Sequence, residues 1–252
     1  MKPIGHDSVG RALVHLELLR SALGFRQRVG RAPIPAWTPS AVFLVTSTLA
    51  PSDDALSYTP LRSIYGADER LEQTCLGLDS VREHVPGAFV VLLENSAVTD
   101  RAADELARRV DWLLSFDADP LAAALRDGQH KGAAEAFMLA SAMVALRATD
   151  YPLLLKLSGR YQLSDRFDLS CFPTSGFGVH ISGGFPSTRL YSVAKDSEQR
   201  YIRQLRRALW LTSRGCSVER ALFSDVPPQT IRFLDVVGVK GFVAPSGIAI
   251  NE

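Results

Sequence analysis

The stretch Ala41-Val42-Phe43-Leu44-Val45-Thr46-Ser47-Thr48 decides the fold class. Its five apolar residues do not alternate with polar ones, the pattern of a strand buried on both faces, and the run stops at three hydroxyl side chains. The same texture returns three times: Ala88-Phe89-Val90-Val91-Leu92-Leu93 ends in Glu94-Asn95-Ser96, Trp112-Leu113-Leu114-Ser115-Phe116 ends in Asp117-Ala118-Asp119, and Tyr151-Pro152-Leu153-Leu154-Leu155-Lys156-Leu157 ends in Ser158-Gly159-Arg160-Tyr161. Helical segments are expected between them at about 67–84, closed by Pro86-Gly87, at 99–109, and at 132–147, where Ala, Met and Leu dominate. Strands joined by helical crossovers predict an α/β protein with a mostly parallel sheet covered on both faces. Ligands of such sheets bind at the carboxyl ends of the strands, and all four of those ends are polar here.

Working outward, the texture changes beyond Asp168. Short segments punctuated by Gly and Pro, such as Gly176-Phe177-Gly178-Val179-His180-Ile181-Ser182-Gly183-Gly184, read as antiparallel strands or turns. A helix at 195–212 and a tail at 238–250 complete the expected domain. Toward the N-terminus, Val9, Leu13, Leu16 and Leu19 at three-to-four spacing predict an appended amphipathic helix from about Asp7 to Phe25. Arg26, Arg28 and Arg31 follow it, then Pro33, Pro35 and Pro39, an extended basic arm that either lies in solvent or meets phosphate or a membrane surface.

The chain has 252 residues, with 28 Lys and Arg against 27 Asp and Glu, a net charge of +1. That balance lacks the broad basic footprint of a nucleic-acid binder, so an anionic partner has to be met locally. Cys75, Cys171 and Cys216 are odd in number and widely separated, which fits a reducing compartment. No run approaches the roughly 18 apolar residues of a membrane span, and the start of the chain has no apolar leader core. The expected location is cytoplasmic, at most peripheral to the inner face of the membrane.

Two segments carry candidate chemistry. Lys156-Leu157-Ser158-Gly159-Arg160-Tyr161 puts two cations, a hydroxyl and a close-approach glycine at the mouth of a buried strand. Arg160 is suited to gripping phosphate oxygens with two prongs and Tyr161 to stacking on a ring; the alternative is that Lys156 extends out to solvent and Arg160 pairs with Asp165 or Asp168. Asp117-Ala118-Asp119 is the second segment, since two carboxylates one residue apart at a strand end can share a divalent cation. The same pair also fits a magnesium-dependent phosphohydrolase, whereas an acidic residue before Pro120 also starts an ordinary turn.

His130-Lys131-Gly132 with Glu135 and Ala136 entering a helix, then Tyr151 through Lys156-Leu157-Ser158-Gly159-Arg160-Tyr161, then Phe167-Asp168, resembles the bacterial and viral glycan-assembly glycosyltransferases of the GT-A type. The resemblance covers roughly 41–168. It implies a GT-A-like, Rossmann-like sheet flanked by helices with a C-terminal mixed region. It divides the chain into residues 1–40, the N-terminal helix and Pro-rich arm, and residues 41–252, a single catalytic domain. In this alignment Ser158-Gly159-Arg160 occupies the place of the family's Asp-x-Asp metal motif. The diphosphate charge then falls to Arg160, Lys156, Lys131 or a helix N-terminus, and no cofactor is expected; a divalent metal returns only if Asp117 and Asp119 are the motif. Thr46 and Ser47 are placed at the nucleobase, and Arg70 and Gln73, three apart on one helix face, at the donor. Ser158, Gly159 and Tyr161 complete the donor set. Glu219 in Ser217-Val218-Glu219 resembles the family's Ser-x-Glu, which makes it the candidate base, with His180 the second candidate; alternatively Ser217 and Glu219 only start a helix. The implied partners are a nucleotide-sugar donor and a glycan or lipid-linked acceptor. A third reading is a nucleotide- or glycan-binding protein without turnover.

Overall fold

A computed structural model describes residues 38–56, 59–146 and 149–252, and the expected N-terminal helix and most of the Pro-rich arm lie outside them. The four apolar runs form β1 (Ala41–Ser47), β2 (Ala88–Glu94), β3 (Trp112–Ser115) and β4 (Leu153–Ser158), all parallel, in the spatial order β3-β2-β1-β4. Two further strands, β6 (Phe177–Ser182) and β7 (Phe185–Ala194), add in antiparallel fashion, β7 against β4 and β6 against β7. The edge strand β8 (Ile231–Leu234) lies parallel to β6. A small second sheet joins β5 (Tyr161–Leu163), β9 (Val239–Phe242) and β10 (Ala249–Asn251). The chain is thus a mixed α/β protein with a large, mostly parallel sheet and a mixed C-terminal region, as the β-α repeats and the texture change after Asp168 predicted.

Side-chain alternation divides the core into two layers. Val42 and Leu44 of β1, Phe89, Val91 and Leu93 of β2 and Leu154 of β4 point to one face. There they meet the helices α4 (Lys131–Ala145) and α5 (Glu198–Thr212), and α4 buries ten of its fifteen residues. Ala41, Phe43, Val45, Val90, Leu92, Leu155 and Leu157 point to the other face, against α1 (Ala67–His84) and α2 (Asp100–Ala107). Non-alternating apolar runs were therefore the right signature: each strand is covered twice. Lys156 belongs by the same alternation to the α4 face, which governs its chemistry below.

Several boundaries differ from the sequence reading for identifiable reasons. The fourth strand starts at Leu153, and Tyr151 before it is buried, donating from its hydroxyl to Glu198 at 3.1 Å. Asp119 does not merely start a turn. Its carboxylate accepts from the backbone N–H of Leu121 and Ala122 and caps α3 (Pro120–Asp127), with Pro120 in the first turn, where a missing N–H costs nothing. The remaining helix, α6 (Val218–Phe223), packs on α5 and β7. No helix among the described residues is long and apolar enough to cross a membrane.

Candidate active site

A cleft of about 580 Å³ opens at the carboxyl ends of β1, β2 and β4. Thr46, Ser47 and Thr48 supply one wall, Asn95 follows β2, Ser158 ends β4 and Arg160 follows it, and the first turn of α4 faces them with Lys131 and Glu135. Ser187, Thr188 and Arg189 of β7 and Glu219 of α6 close the other side. Gly132 lets the first turns of α4 and α6 touch, since a Cβ there would sit 2.9 Å from Val218 Cβ.

The end of β1 is fixed by its neighbours. Ser47 and Thr74 share a hydroxyl contact at 3.3 Å, and Thr48 donates to Asn95 Oδ1 at 2.7 Å. Buried Arg70 donates from Nε to Thr48 O at 2.6 Å and from Nη1 to Ser63 Oγ at 3.1 Å. Burial, and then the nearby Arg160 cation, lower its guanidinium to about 10, with Glu94 opposing. Gly159, expected to admit a ligand, instead admits β1: its N–H donates to Thr46 O at 2.8 Å, and a Cβ would come within 2.9 Å of that oxygen.

The cations of the cleft differ in how far they are already engaged. Arg62, which the sequence reading passed over, is spent on backbone carbonyls of Asp54, Arg126 and Asp127 at 2.6–2.8 Å. Arg126, also passed over, pairs with Asp127 at 2.7 Å and donates to Asn95 O at 2.9 Å. Arg189 pairs with Glu252 and donates to Tyr161 Oη at 3.3 Å. Arg160 is different: among the described residues it makes no hydrogen bond or ion pair, Asp165 and Asp168 included, and its Nε is buried without a partner. Lys131 likewise has no bonded partner among them. It is exposed by surface area, yet stands in a concave site where protein displaces much of its water. That scarcity, then the Arg160 charge, bring its ammonium down to about 8, with Glu135 opposing and Arg70 reinforcing. Water reaching the exposed part of the side chain moderates this fall. Arg160, whose charge lowers both Arg70 and Lys131 beside it, faces the cleft with them, and the three make a site for an anion.

The carboxylates of the cleft are Glu135 and Glu219. Glu135 pairs with Lys156, which is wholly buried beneath the cleft and also donates to Ser158 Oγ at 2.7 Å and Thr188 O at 2.6 Å. Lys156 therefore neither lines the cleft nor extends out to solvent. Thr188 Oγ1 lies 3.5 Å from Glu219 Oε1.

Thus the cleft unites Thr46, Ser47, Arg70, Lys131, Ser158, Arg160, Tyr161 and Glu219 of the expected set. Gln73, Gly159, Lys156 and His180 are not on its walls; His180 Nδ1 is bonded to Leu234 O at 2.9 Å. Asp117 and Asp119 are outside it too, the first accepting from Ser115 Oγ at 2.6 Å and the second capping α3, so neither is placed to act there. Among the described residues no three His, Cys, Asp or Glu side chains group as metal ligands do. Ser158 and Arg160, at the end of β4, bring no carboxylate to the cleft.

No protein-family model matches the chain, and no curated protein matches it in sequence. Solved structures that superpose on it include glycosyltransferases. One is involved in glycosylating the major capsid of PBCV-1 (12% identity, 78% of this chain and 82% of that one, TM-score 0.42). Another is the galactosyltransferase LgtC in complex with donor and acceptor sugar analogues (9% identity, 82% and 88%, TM-score 0.46). A third is GlyE of Streptococcus pneumoniae TIGR4 (10% identity, TM-score 0.46), where 79% of this chain spans only 46% of the other. With identities this low and TM-scores below 0.5, the chemistry has to be argued from the chain's own cleft.

Proposed function

We propose that the chain is a glycosyltransferase of GT-A-like architecture that moves a sugar from a nucleotide-sugar donor to an acceptor hydroxyl without a divalent metal. The observation that carries this reading is Arg160, a cation with no carboxylate partner among the described residues, beside Lys131 and Arg70 at the carboxyl ends of β1 and β4. A diphosphate supplies the negative charge those groups lack, and its leaving charge is stabilised by fixed donors in a site partly screened from water. The bond from the sugar's anomeric carbon to the diphosphate oxygen breaks with its electron pair staying on the diphosphate. The acceptor oxygen bonds to the same carbon, and its proton passes to Glu219. The polar end of β1 at Thr46 and Ser47 receives the nucleoside.

The reading includes a glycan or lipid-linked acceptor and a cytoplasmic location. The test is an assay of purified protein with a panel of nucleotide sugars and glycan acceptors in EDTA, following nucleoside diphosphate release and acceptor mass. Release with one donor class, coupled to an acceptor mass gain of one sugar, supports the reading. Phosphate release from simple phosphoesters, or no turnover of any donor, contradicts it.

A further inference from the structure

Lys156 is a cation that no ligand can reach, because its side chain is 0% exposed, whereas that of Glu135 remains 15% exposed toward the cleft. Placing a lysine in the middle of β4, between Leu155 and Leu157, is costly unless its charge is matched. The alternation of β4 sends Lys156 to the α4 face, beside Leu44 of β1 and Tyr191 of β7 in register. Its ammonium there meets three groups from three cleft walls: the Glu135 carboxylate of α4, the Ser158 hydroxyl ending β4, and the Thr188 carbonyl of β7. Burial pulls the ammonium down and Glu135 pulls it back, with Glu219 adding to Glu135 and Arg160 acting against both. Thr188 continues the chain of contacts, its hydroxyl lying 3.5 Å from Glu219.

We propose that Lys156 is a positioning residue that holds the two cleft carboxylates, Glu135 directly and Glu219 through Thr188, at a fixed separation across the space where donor sugar and acceptor meet. This rests on the glycosyltransferase reading and adds to it. Glu135 is the group that touches the sugar, Lys156 orients it, and the diphosphate is held by Arg160 and Lys131 rather than by either. A buried pair that only stabilised the fold would be replaceable by an apolar or neutral pair without effect on turnover.

The experiment compares wild type, Lys156→Met and Lys156→Met/Glu135→Gln by folded-state circular dichroism, by calorimetric affinity for a nucleoside diphosphate, and by kcat and KM for the donor identified in the panel above. The single variant leaves a partly buried carboxylate unpaired and is expected to be less stable; the double variant removes both charges and is expected to fold. The proposal predicts that the Lys156→Met variant, which keeps Glu135, binds the nucleoside diphosphate within about threefold of wild type while kcat falls at least about tenfold, and that the folded double variant does the same. A folded double variant with kcat within about twofold of wild type overturns it. So does a loss of diphosphate affinity that parallels the loss of kcat, which is the mark of a collapsed cleft. A wild type that turns over no nucleotide sugar overturns the transferase reading as well, which separates the two failures.

Discussion

Arg160 and Arg189 share one aromatic ring: the guanidinium carbon of each lies 5.8 Å from the Tyr161 centroid. Their charges are treated differently. Glu252 pairs with Arg189, and Ser182 Oγ and Tyr161 Oη accept from it at 3.2 and 3.3 Å, so Arg189 is part of the wall. Arg160 has the ring to orient it and no acceptor among the described residues, so it is preset for an anion from outside.

Replacing Arg160 with Ala is therefore expected to weaken nucleoside diphosphate binding about 10- to 100-fold, from the loss of charge-assisted hydrogen bonds. Arg189→Ala is expected to do less directly to the anion and more to the wall, lowering the melting temperature. Calorimetric titration and thermal melts of the two variants check the contrast.

Lys131 predicts a pH dependence. Its ammonium, at about 8, is charged below that value and neutral above it. An anion binds the charged form, so affinity is expected to be highest below about pH 8 and to fall as pH rises through it, until the raised value of the bound state is passed. Titrations from pH 6.5 to 9.5 check the slope, and Lys131→Met is expected to flatten it.

Glu219→Gln is expected to reduce turnover by about 10²- to 10⁴-fold, the range of a lost general base, while donor affinity stays unchanged. Loss of donor affinity in this variant would move Glu219 out of that role.

Two packing predictions concern the floor of the cleft. Lys156→Met leaves Glu135 partly buried and unpaired, and is expected to cost at most about 3–5 kcal/mol of stability in urea unfolding. Gly159→Ala pushes a methyl group against Thr46 O and is expected to cost about 1–3 kcal/mol, because the crowding atom is backbone of the central strand.

The central sheet was legible because runs such as Ala88 to Leu93 read as strands covered twice, and those of β1, β2 and β4 ended where a polar cleft wall now stands. What the sequence concealed was the use to which each polar residue is put. Lys156 and Arg160 are four apart and equally cationic, yet the pleat buries one against α4 and leaves the other in the cleft. Arg62 and Arg126 engage the carbonyls of residues 126 and 95, contacts distant in sequence that their neighbourhoods do not reveal. Asp119 did carry a local signal, an acidic cap followed by Pro120, and it reads correctly as a helix start once capping is preferred to metal binding. His180 and Gln73 were chosen by residue type and spacing, which do not reveal that β6 turns His180 toward the carbonyl of Leu234.

The most direct test of the central claim is calorimetric titration of wild type and Arg160→Ala with nucleoside diphosphates, in EDTA and again with manganese. The account predicts tight binding of one nucleotide class by wild type in EDTA, little change on adding manganese, and a large loss in the variant. Binding that requires manganese, or that Arg160→Ala leaves intact, would contradict it.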